Sequence, residues 1–144
     1  MNTVRETMRS KKTEVWTVTR QATAYAALEL MAEKDIGAVV VVDKGKPVGI
    51  FSERDYARKV ILKGKSSKST SVGELMSRPV LYVRPDQTLD QCMALMTNKR
   101  IRHLPVMEND ALIGILSIGD VVKAIITEQE FTIQQLENYI SGPA

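Results

Sequence analysis

Two serine–aspartate pairs are the residues of this sequence whose types and spacing could do chemistry. Ser52 and Asp55 stand three residues apart where an apolar strand runs into a helix, and Ser117 and Asp120 repeat that arrangement. At such a corner a carboxylate can accept hydrogen bonds from two adjacent hydroxyls, as on a ribose diol. The serine and the free N–H groups of the helix N-terminus then remain for a phosphate. The same spacing is also a variant of the capping box, which ties off a helix without any ligand. The spacing alone leaves both interpretations open.

The two corners belong to a longer internal repeat. Residues 15–60 align with residues 80–125 at an offset of 65 residues and without a gap. Upstream, the segment that begins at Val4 resembles the one that begins at Val72. The chain therefore reads as two halves of one design. In the first copy, the residues identical to their counterparts in the second are Val15, Val18, Thr23, Leu30, Met31, Lys34, Ile36, Val41, Gly49, Ile50, Ser52 and Asp55.

This repeat resembles a tandem pair of cystathionine-β-synthase (CBS) domains, the Bateman module. The residues that carry the resemblance are GIFSERD and GILSIGD, the apolar VVVVD and HLPVM strands before them, and the NKRIRHLPV run. The segment SERDYARKVILKGKSSKST is similar to the stand-alone CBS pairs of bacteria and plant mitochondria. The resemblance implies an α/β (α+β) fold in which two pseudo-symmetric β-α-β-β-α repeats pack sheet to sheet.

Composition divides the chain into four segments. The stretch KGKSSKSTS, from Lys63 to Ser71, holds no large apolar residue and is typical of a linker. We expect a first CBS motif with the N-terminal segment over residues 1–64, the linker over 65–71, a second motif over 72–130 and a helical tail over 131–144. In the tail, Ile133, Leu136 and Ile140 form an apolar stripe. It could cover the chain's own core or pair with another subunit, and we expect the second.

Apolar patterning places the elements that must position the two corners. Residues 15–18 and 38–42 predict strands of the first half, and residues 80–83 predict the first strand of the second half. Spacing at three and four residues predicts the helices, including one over 53–62. The residues expected to face inward are Ala24, Ala27, Leu28 and Met31, then Tyr56, Ala57, Val60 and Ile61, then Leu89, Cys92, Met93 and Met96, and finally Val121, Val122, Ile125 and Ile126.

The resemblance further implies two clefts that bind adenosine-containing nucleotides such as AMP, ATP, NAD(H) or S-adenosylmethionine. Ser52 and Asp55 match the hydroxyl and carboxylate positions of one cleft, and Ser117 and Asp120 match those of the other. The ligand-binding residues implied are Val15, Thr17, Gly37, Ala38, Ser52, Arg54 and Asp55 for the first cleft, and Val80, Tyr82, Arg102, His103, Pro105, Ser117 and Asp120 for the second.

The two clefts differ in charge. The family's phosphate-contacting basic position matches Arg102, with His103 beside it, whereas Gly37 and Ala38 stand at those positions in the first half. Phosphate binding in the first cleft then depends on Arg54, on Arg58 or on the other half. We therefore expect the second cleft to bind the more anionic ligand. The adenine is expected near Thr17 in the first cleft and near Tyr82, its equivalent in the repeat, in the second. Tyr82 could stack on a base or pack in the core.

Composition argues against several classes of protein. The single cysteine permits no disulfide within the chain, which indicates a reducing, cytoplasmic setting. The first twelve residues are polar and basic, and no apolar run approaches the roughly 18 residues of a membrane span. The lone His103 and Cys92 form neither a nucleophile–base pair nor a metal site. No G-x-G-x-x-G or P-loop motif occurs. We expect no catalysis and no metal.

The sequence thus predicts a regulatory module that binds an adenine nucleotide, for energy or redox sensing, and alters a partner protein or its own assembly. AMP is the foremost ligand, with ATP, ADP or NAD(H) as other candidates, and a homodimer is expected. The net charge of +3 leaves open a nucleic-acid-associated module. A dimerisation scaffold with vestigial clefts is a third possibility. The lysines that a nucleic acid would contact are Lys11, Lys12, Lys63, Lys65 and Lys68.

Overall fold

The computed structural model of the chain describes residues 2–11, 14–78 and 80–141, so that Lys12 and the end of the predicted tail, 142–144, lie outside it. It has two small β-sheets, helices on each half and a long C-terminal helix, which confirms the predicted α/β class. The elements in chain order are α1 (Val4–Lys11), β1 (Thr17–Thr19), α2 (Ala24–Lys34), β2 (Ala38–Asp43), β3 (Lys46–Ser52), α3 (Glu53–Tyr56), a π-helical turn (Ala57–Ile61), α4 (Val72–Leu75), α5 (Leu89–Lys99), β4 (His103–Glu108), β5 (Ala111–Ser117) and α6 (Ile118–Ser141).

The first half folds as the repeat predicts. β1 pairs parallel with β2, and β2 pairs antiparallel with β3 through a two-residue turn at Lys44 and Gly45. The parallel pair needs a crossover, which α2 supplies. Thr23 caps that helix by accepting a hydrogen bond from the backbone N–H of Ala26 at 3.1 Å. β2 is buried along most of its length because the sheet is covered on both faces.

The second half differs at its first strand. β4 and β5 form a two-stranded antiparallel sheet, but the strand predicted over Val80 to Val83 is not formed. Only Val83 bridges to the sheet: its N–H donates to the carbonyl of Pro105 at 2.9 Å, and its carbonyl accepts from Met107 at 2.9 Å. The next residue, Arg84, donates its N–H to the side chain of Gln87 at 2.8 Å and turns the chain away. That turn ends the pairing after one bridge.

The two halves exchange their short N-terminal segments. Val72 of α4 is buried in the core of the first half, with Leu75 and Met76, whereas Val4 of α1 is buried in the core of the second. The backbone fixes this arrangement, because Val4 donates to the carbonyl of Gln87 at 2.9 Å. The predicted boundaries group α1 with the first motif along the sequence, but in the folded chain α1 packs on the second half.

The inward faces of the helices are partly as predicted. Ala24, Ala27 and Met31 in α2 are buried, as are Leu89, Cys92 and Met96 in α5. The prediction is wrong for four residues. The π-helical turn widens the helix after α3, so that Val60 alone of that turn is buried; α6 lies at the edge of the body and buries only a narrow stripe around Val121. The exposed residues are Ala57, Ile61, Val122 and Ile126.

The C-terminal part of α6 extends away from the body. Ile133, Leu136 and Ile140 are 55%, 56% and 82% exposed, so the stripe does not cover the chain's own core. Although α6 has 24 residues, no helix in the described part of the chain is long and apolar enough to cross a membrane.

Candidate functional site

A hollow of about 460 Å³ lies between the two halves, in front of the first serine–aspartate corner. Ser52 and Asp55 line it from one side, and Arg102 and His103 line it from the other. The sequence analysis assigned these residues to two clefts, whereas the structure places all four of them around one hollow. The halves face each other so closely that a Cβ on Gly37 would lie 3.7 Å from Nε2 of His103. Residues of the two halves therefore meet across one hollow.

The corner itself is a complete capping box. The N–H of Ser52 donates to Oδ2 of Asp55 at 3.0 Å, and the N–H of Asp55 donates to Oγ of Ser52 at 3.2 Å. Oγ of Ser52 also lies 3.1 Å from the same carboxylate oxygen. The capping interpretation therefore holds for this corner, and the hollow in front of it exists as well.

The second oxygen of Asp55 is held by two residues that the sequence analysis missed. Oδ1 accepts from Oγ of Ser77 at 3.1 Å and lies 3.1 Å from Nζ of Lys59. Lys59 also donates to the carbonyl of Leu75 at 2.9 Å. The spacing of four residues between Asp55 and Lys59 was a usable sequence signal. Ser77 had none, since it reaches the corner only because α4 packs on the first half.

Positive charge from both halves surrounds the hollow. Five fixed cations and two carboxylates line it. None of its four arginines forms an ion pair with a described residue. The positive charges of Arg58 and then Arg102 lower the pKa of Arg54 below its ordinary value. Such an arrangement attracts an anion. The charged lining residues are Arg54, Arg58, Lys59, Arg100 and Arg102 against Glu53 and Asp55.

His103 is kept neutral in this setting. Burial lowers the pKa of His103 most, followed by the positive charge of Lys11, while Asp120 opposes the shift and Arg102 adds to it. Neutral imidazole can donate or accept a hydrogen bond. An anion bound in the hollow would raise the pKa of His103, because its negative charge favours the protonated imidazole.

The second corner is also capped, and α1 occupies the space beside it. The N–H of Ser117 donates to Oδ2 of Asp120 at 2.8 Å. Nζ of Lys11 donates to that oxygen at 2.7 Å and to the carbonyl of Ile115 at 2.6 Å. Burial would raise the pKa of Asp120, but the hydrogen bonds from Lys11 and Ser117 and the charge of Lys11 lower it overall. Lys11 thus binds the carboxylate of this corner, as Lys59 binds Asp55 at the first corner.

Two glycines of the repeat let the exchanged segments approach the sheets. A Cβ on Gly49 would lie 2.5 Å from Sδ and 2.8 Å from Cβ of Met76. A Cβ on Gly114 would collide with the tip of Met8. Met8 and Met76 are equivalent in the repeat. Each strand therefore carries glycine where a methionine crosses it.

Comparison with known proteins identifies the fold. The model of the CBS domain matches residues 4–62 and again residues 72–127. The chain belongs to the CBS domain family. It is 41% identical over 150 residues to the mitochondrial CBS domain-containing protein CBSX3 of Arabidopsis thaliana, covering 97% of this chain and 72% of that one. It is 31% identical over 144 residues to the CBS domain-containing protein YhcV of Bacillus subtilis (strain 168), covering 100% and 93%. Neither relative carries the name of an enzyme, and the family is one of regulatory modules.

Solved CBS structures show the same architecture. A protein with CBS domains from Burkholderia ambifaria MC40-6 superposes with a TM-score of 0.84 at 50% identity, covering 89% of this chain and 96% of that one. The CBS domain pair of the protein MJ0100 superposes with a TM-score of 0.78 at 22% identity, covering 89% and 98%. The fold is therefore that of a CBS pair.

The remaining predicted residues of this CBS pair lie away from the hollow, except Gly37, Arg54 and Val80, which line it. Val15 is half-buried ahead of β1, and Thr17 is exposed on that strand. Tyr82 is 48% exposed and lines a second hollow of about 930 Å³ together with Arg84. It is thus separated from Ser117 and Asp120, with which the sequence grouped it. Two further predicted residues, Ala38 and Pro105, are buried within β2 and β4.

Proposed function

We propose that this CBS pair is a regulatory module that binds an adenosine-containing nucleotide in the hollow between its halves. AMP is the foremost ligand, with ADP, ATP and NAD(H) as alternatives. The observation that carries the proposal is that arginines from both halves converge on the first serine–aspartate corner. The volume of about 460 Å³ lies within the range of small-molecule sites.

The phosphates are assigned to the arginines. Arg54 and Arg58 come from the first half, and Arg100 and Arg102 come from the second. A guanidinium binds phosphate through two parallel, charge-assisted hydrogen bonds. We therefore propose that the phosphates bind at the Ser52 corner, whereas the sequence analysis expected the more anionic ligand at the Ser117 corner.

The ribose is assigned to Asp55. Its carboxylate already accepts from Oγ of Ser52 and Oγ of Ser77. The two hydroxyls of a ribose could take the place of the two serine hydroxyls as donors, so the carboxylate would keep its number of hydrogen bonds. The released serine hydroxyls remain free to rotate toward the ligand.

The adenine is assigned to the apolar part of the lining. Ile50 lies on the first half, and Val80, Leu81 and Ile101 lie on the second. These side chains offer a surface for an aromatic ring, as most small-molecule sites do. Thr17, at the position expected to contact the adenine in the first cleft, lies outside the hollow.

A structural relative supports the ligand class. The MJ0100 pair, which shares the fold at 22% identity, was solved with 5′-methylthioadenosine and S-adenosyl-L-methionine. Both ligands contain adenosine. Neither ligand contains a phosphate, so the proposed phosphate site rests on the arginines of the hollow alone.

The regulatory step is assigned to the relative position of the halves. A nucleotide whose phosphate binds Arg54 and Arg102 joins the two halves through one anion. Its differential affinity for two packings would shift the balance between them. A homodimer in the cytoplasm that acts on a partner protein remains the proposed setting.

Calorimetric titration of AMP into the full chain tests the site. We expect Arg102→Ala to weaken binding roughly 10- to 150-fold, because a charge-assisted hydrogen bond is lost. Arg84→Ala, in the separate hollow, is the matched control and should bind as the wild type does. Wild-type affinity in Arg102→Ala would overturn the proposal. Mass spectrometry of nucleotides released from freshly purified protein identifies the ligand.

A further inference from the structure

α6 carries an exposed apolar seam along the part that leaves the body. From residue 122 onward, side chains recur at alternating spacings of four and three residues on one face. The apolar members are between 39% and 82% exposed. Spacing of this kind is the heptad pattern, in which positions a and d face a second helix. The seam consists of Val122, Ile126, Gln129, Ile133, Leu136 and Ile140.

We propose that α6 pairs with α6 of a second copy of this chain as a short, parallel, two-stranded coiled coil. The a positions are Ile126, Ile133 and Ile140, and Leu136 is a d position. β-branched residues at a with leucine at d favour two parallel strands. This inference goes beyond the nucleotide site and does not rest on it.

Gln129 decides the orientation. It is a d position, and in a parallel pair in register it faces the partner's own copy of the same glutamine. Each amide can then donate to the other and accept from it. In an antiparallel pair a d position faces an a position, which here is always isoleucine, so the amide would lose its partner. The single polar residue of the seam thus favours the parallel pair in register.

The charges agree with the parallel arrangement. Glu130 and Glu137 follow the two d positions Gln129 and Leu136 directly, at position e. Position e faces position g of the partner helix, and the g residues opposite are Ile125 and Thr132. No like charges meet along the pair.

The apolar seam supplies more than half of the area that a standard interface needs. The seam exposes on the order of 500 Å² of apolar surface, near the upper end of what a monomer shows. A stable interface buries about 800 Å² per partner. The flanking Thr132 and Tyr139, the latter 85% exposed, add to the seam. The body packs on Val121, Ala124 and Ile125; the first two are turned away from the seam, and Ile125 lies beside it at position g.

A partner would also stabilise the exposed end of the helix. Every described side chain from 129 to 140 is exposed. An isolated helix of fewer than about 12 to 15 residues is marginal in water. Pairing along the seam supplies the tertiary contacts that the extension lacks.

Sedimentation equilibrium of the full chain at tens of micromolar tests the pairing. We expect a dimer whose dissociation constant is raised roughly 100-fold by Ile133→Asp. Phe131 is 66% exposed on the outer face of the same helix, so Phe131→Asp is the matched control and should leave the dimer intact. A wild-type monomer, including one that binds lipid vesicles instead, would overturn the proposal. So would a dimer that Ile133→Asp does not weaken.

Disulfide cross-linking of Ile140→Cys tests the orientation. In a parallel pair in register the two introduced thiols lie side by side, and mild oxidation should yield a covalent dimer. In an antiparallel pair they lie at opposite ends, roughly 30 Å apart at 1.5 Å per residue. The native Cys92 is buried and does not compete. Absence of the cross-link in a protein that sediments as a dimer would refute the parallel arrangement.

Discussion

Nζ of Lys11 lies 2.7 Å from Oδ2 of Asp120, and this contact binds α1 to the start of α6. The first corner has its own lysine, since Lys59 lies 3.1 Å from Asp55. The origins of the two lysines differ. Lys59 follows Asp55 on the same helix, whereas Lys11 comes from the other end of the chain. The two corners are equivalent in sequence, but the lysines that bind their aspartates come from non-equivalent positions.

We predict that Lys11→Met lowers the free energy of unfolding by about 1 to 2 kcal/mol at neutral pH, through loss of charge-assisted hydrogen bonds. Asp120 has a lowered pKa in the folded state, so its stabilisation is present above roughly pH 4 and is lost as pH falls through the folded pKa. Urea denaturation should show the difference at pH 7 and little of it in acid. Arg9→Met, on the same helix, is the control; an equal loss there would contradict the assignment.

The single histidine offers an unambiguous titration. We expect the NMR resonance of His103 to titrate below 6.5, because burial and then the charge of Lys11 lower its pKa. In Lys11→Met the pKa should move up toward that value, while Arg9→Met should leave it in place. Since the unfolded histidine takes up the proton first, stability falls as pH drops below about 6.5. A titration unchanged by Lys11→Met would show that Lys11 does not act on His103.

The two glycines of the repeat should respond unequally to alanine. Gly49→Ala should destabilise by about 1 to 3 kcal/mol, because the new methyl meets the Cβ of Met76, which cannot move without the backbone. Gly114→Ala should cost less than about 1 kcal/mol, since only the flexible tip of Met8 must swing aside. Thermal or urea unfolding of both variants decides the order. Equal losses of stability would mean that Met8 on α1 is held as rigidly as Met76 after α4.

Multivalent anions should stabilise the protein through its hollow. At equal ionic strength, sulfate in excess should raise the Tm about 2 to 4 °C above chloride, since anion binding favours the folded state. Arg102→Ala should show a smaller difference, because only the general stabilising effect of sulfate remains. Arg84→Ala serves as the control for the general stabilising effect of sulfate, which it should retain. If both variants respond alike, the arginines of the hollow are not an anion site.

Local patterns were sufficient for much of this fold. The Thr23 cap, the buried β2 strand and the inward face of α2 follow from short-range spacing, and the structure has all three. The strand predicted over Val80 to Val83 is not formed, and the contact that follows it is also local. An apolar run reads as a strand, but pairing at Val83 stops when Arg84 bonds to Gln87.

The sequence by itself determined the duplicated design, because residues 15–60 match residues 80–125 directly. It also determined the serine–aspartate spacing of the two corners and the apolar stripe of α6, because each of these depends on residues within a few positions of one another. Only the tertiary structure decided which segments meet. It brought Arg102 opposite Asp55, Ser77 onto that carboxylate and Lys11 onto Asp120, contacts that follow from the packing of one half on the other. Two equivalent halves can exchange segments with the same local geometry, so no local pattern could choose between the pairings.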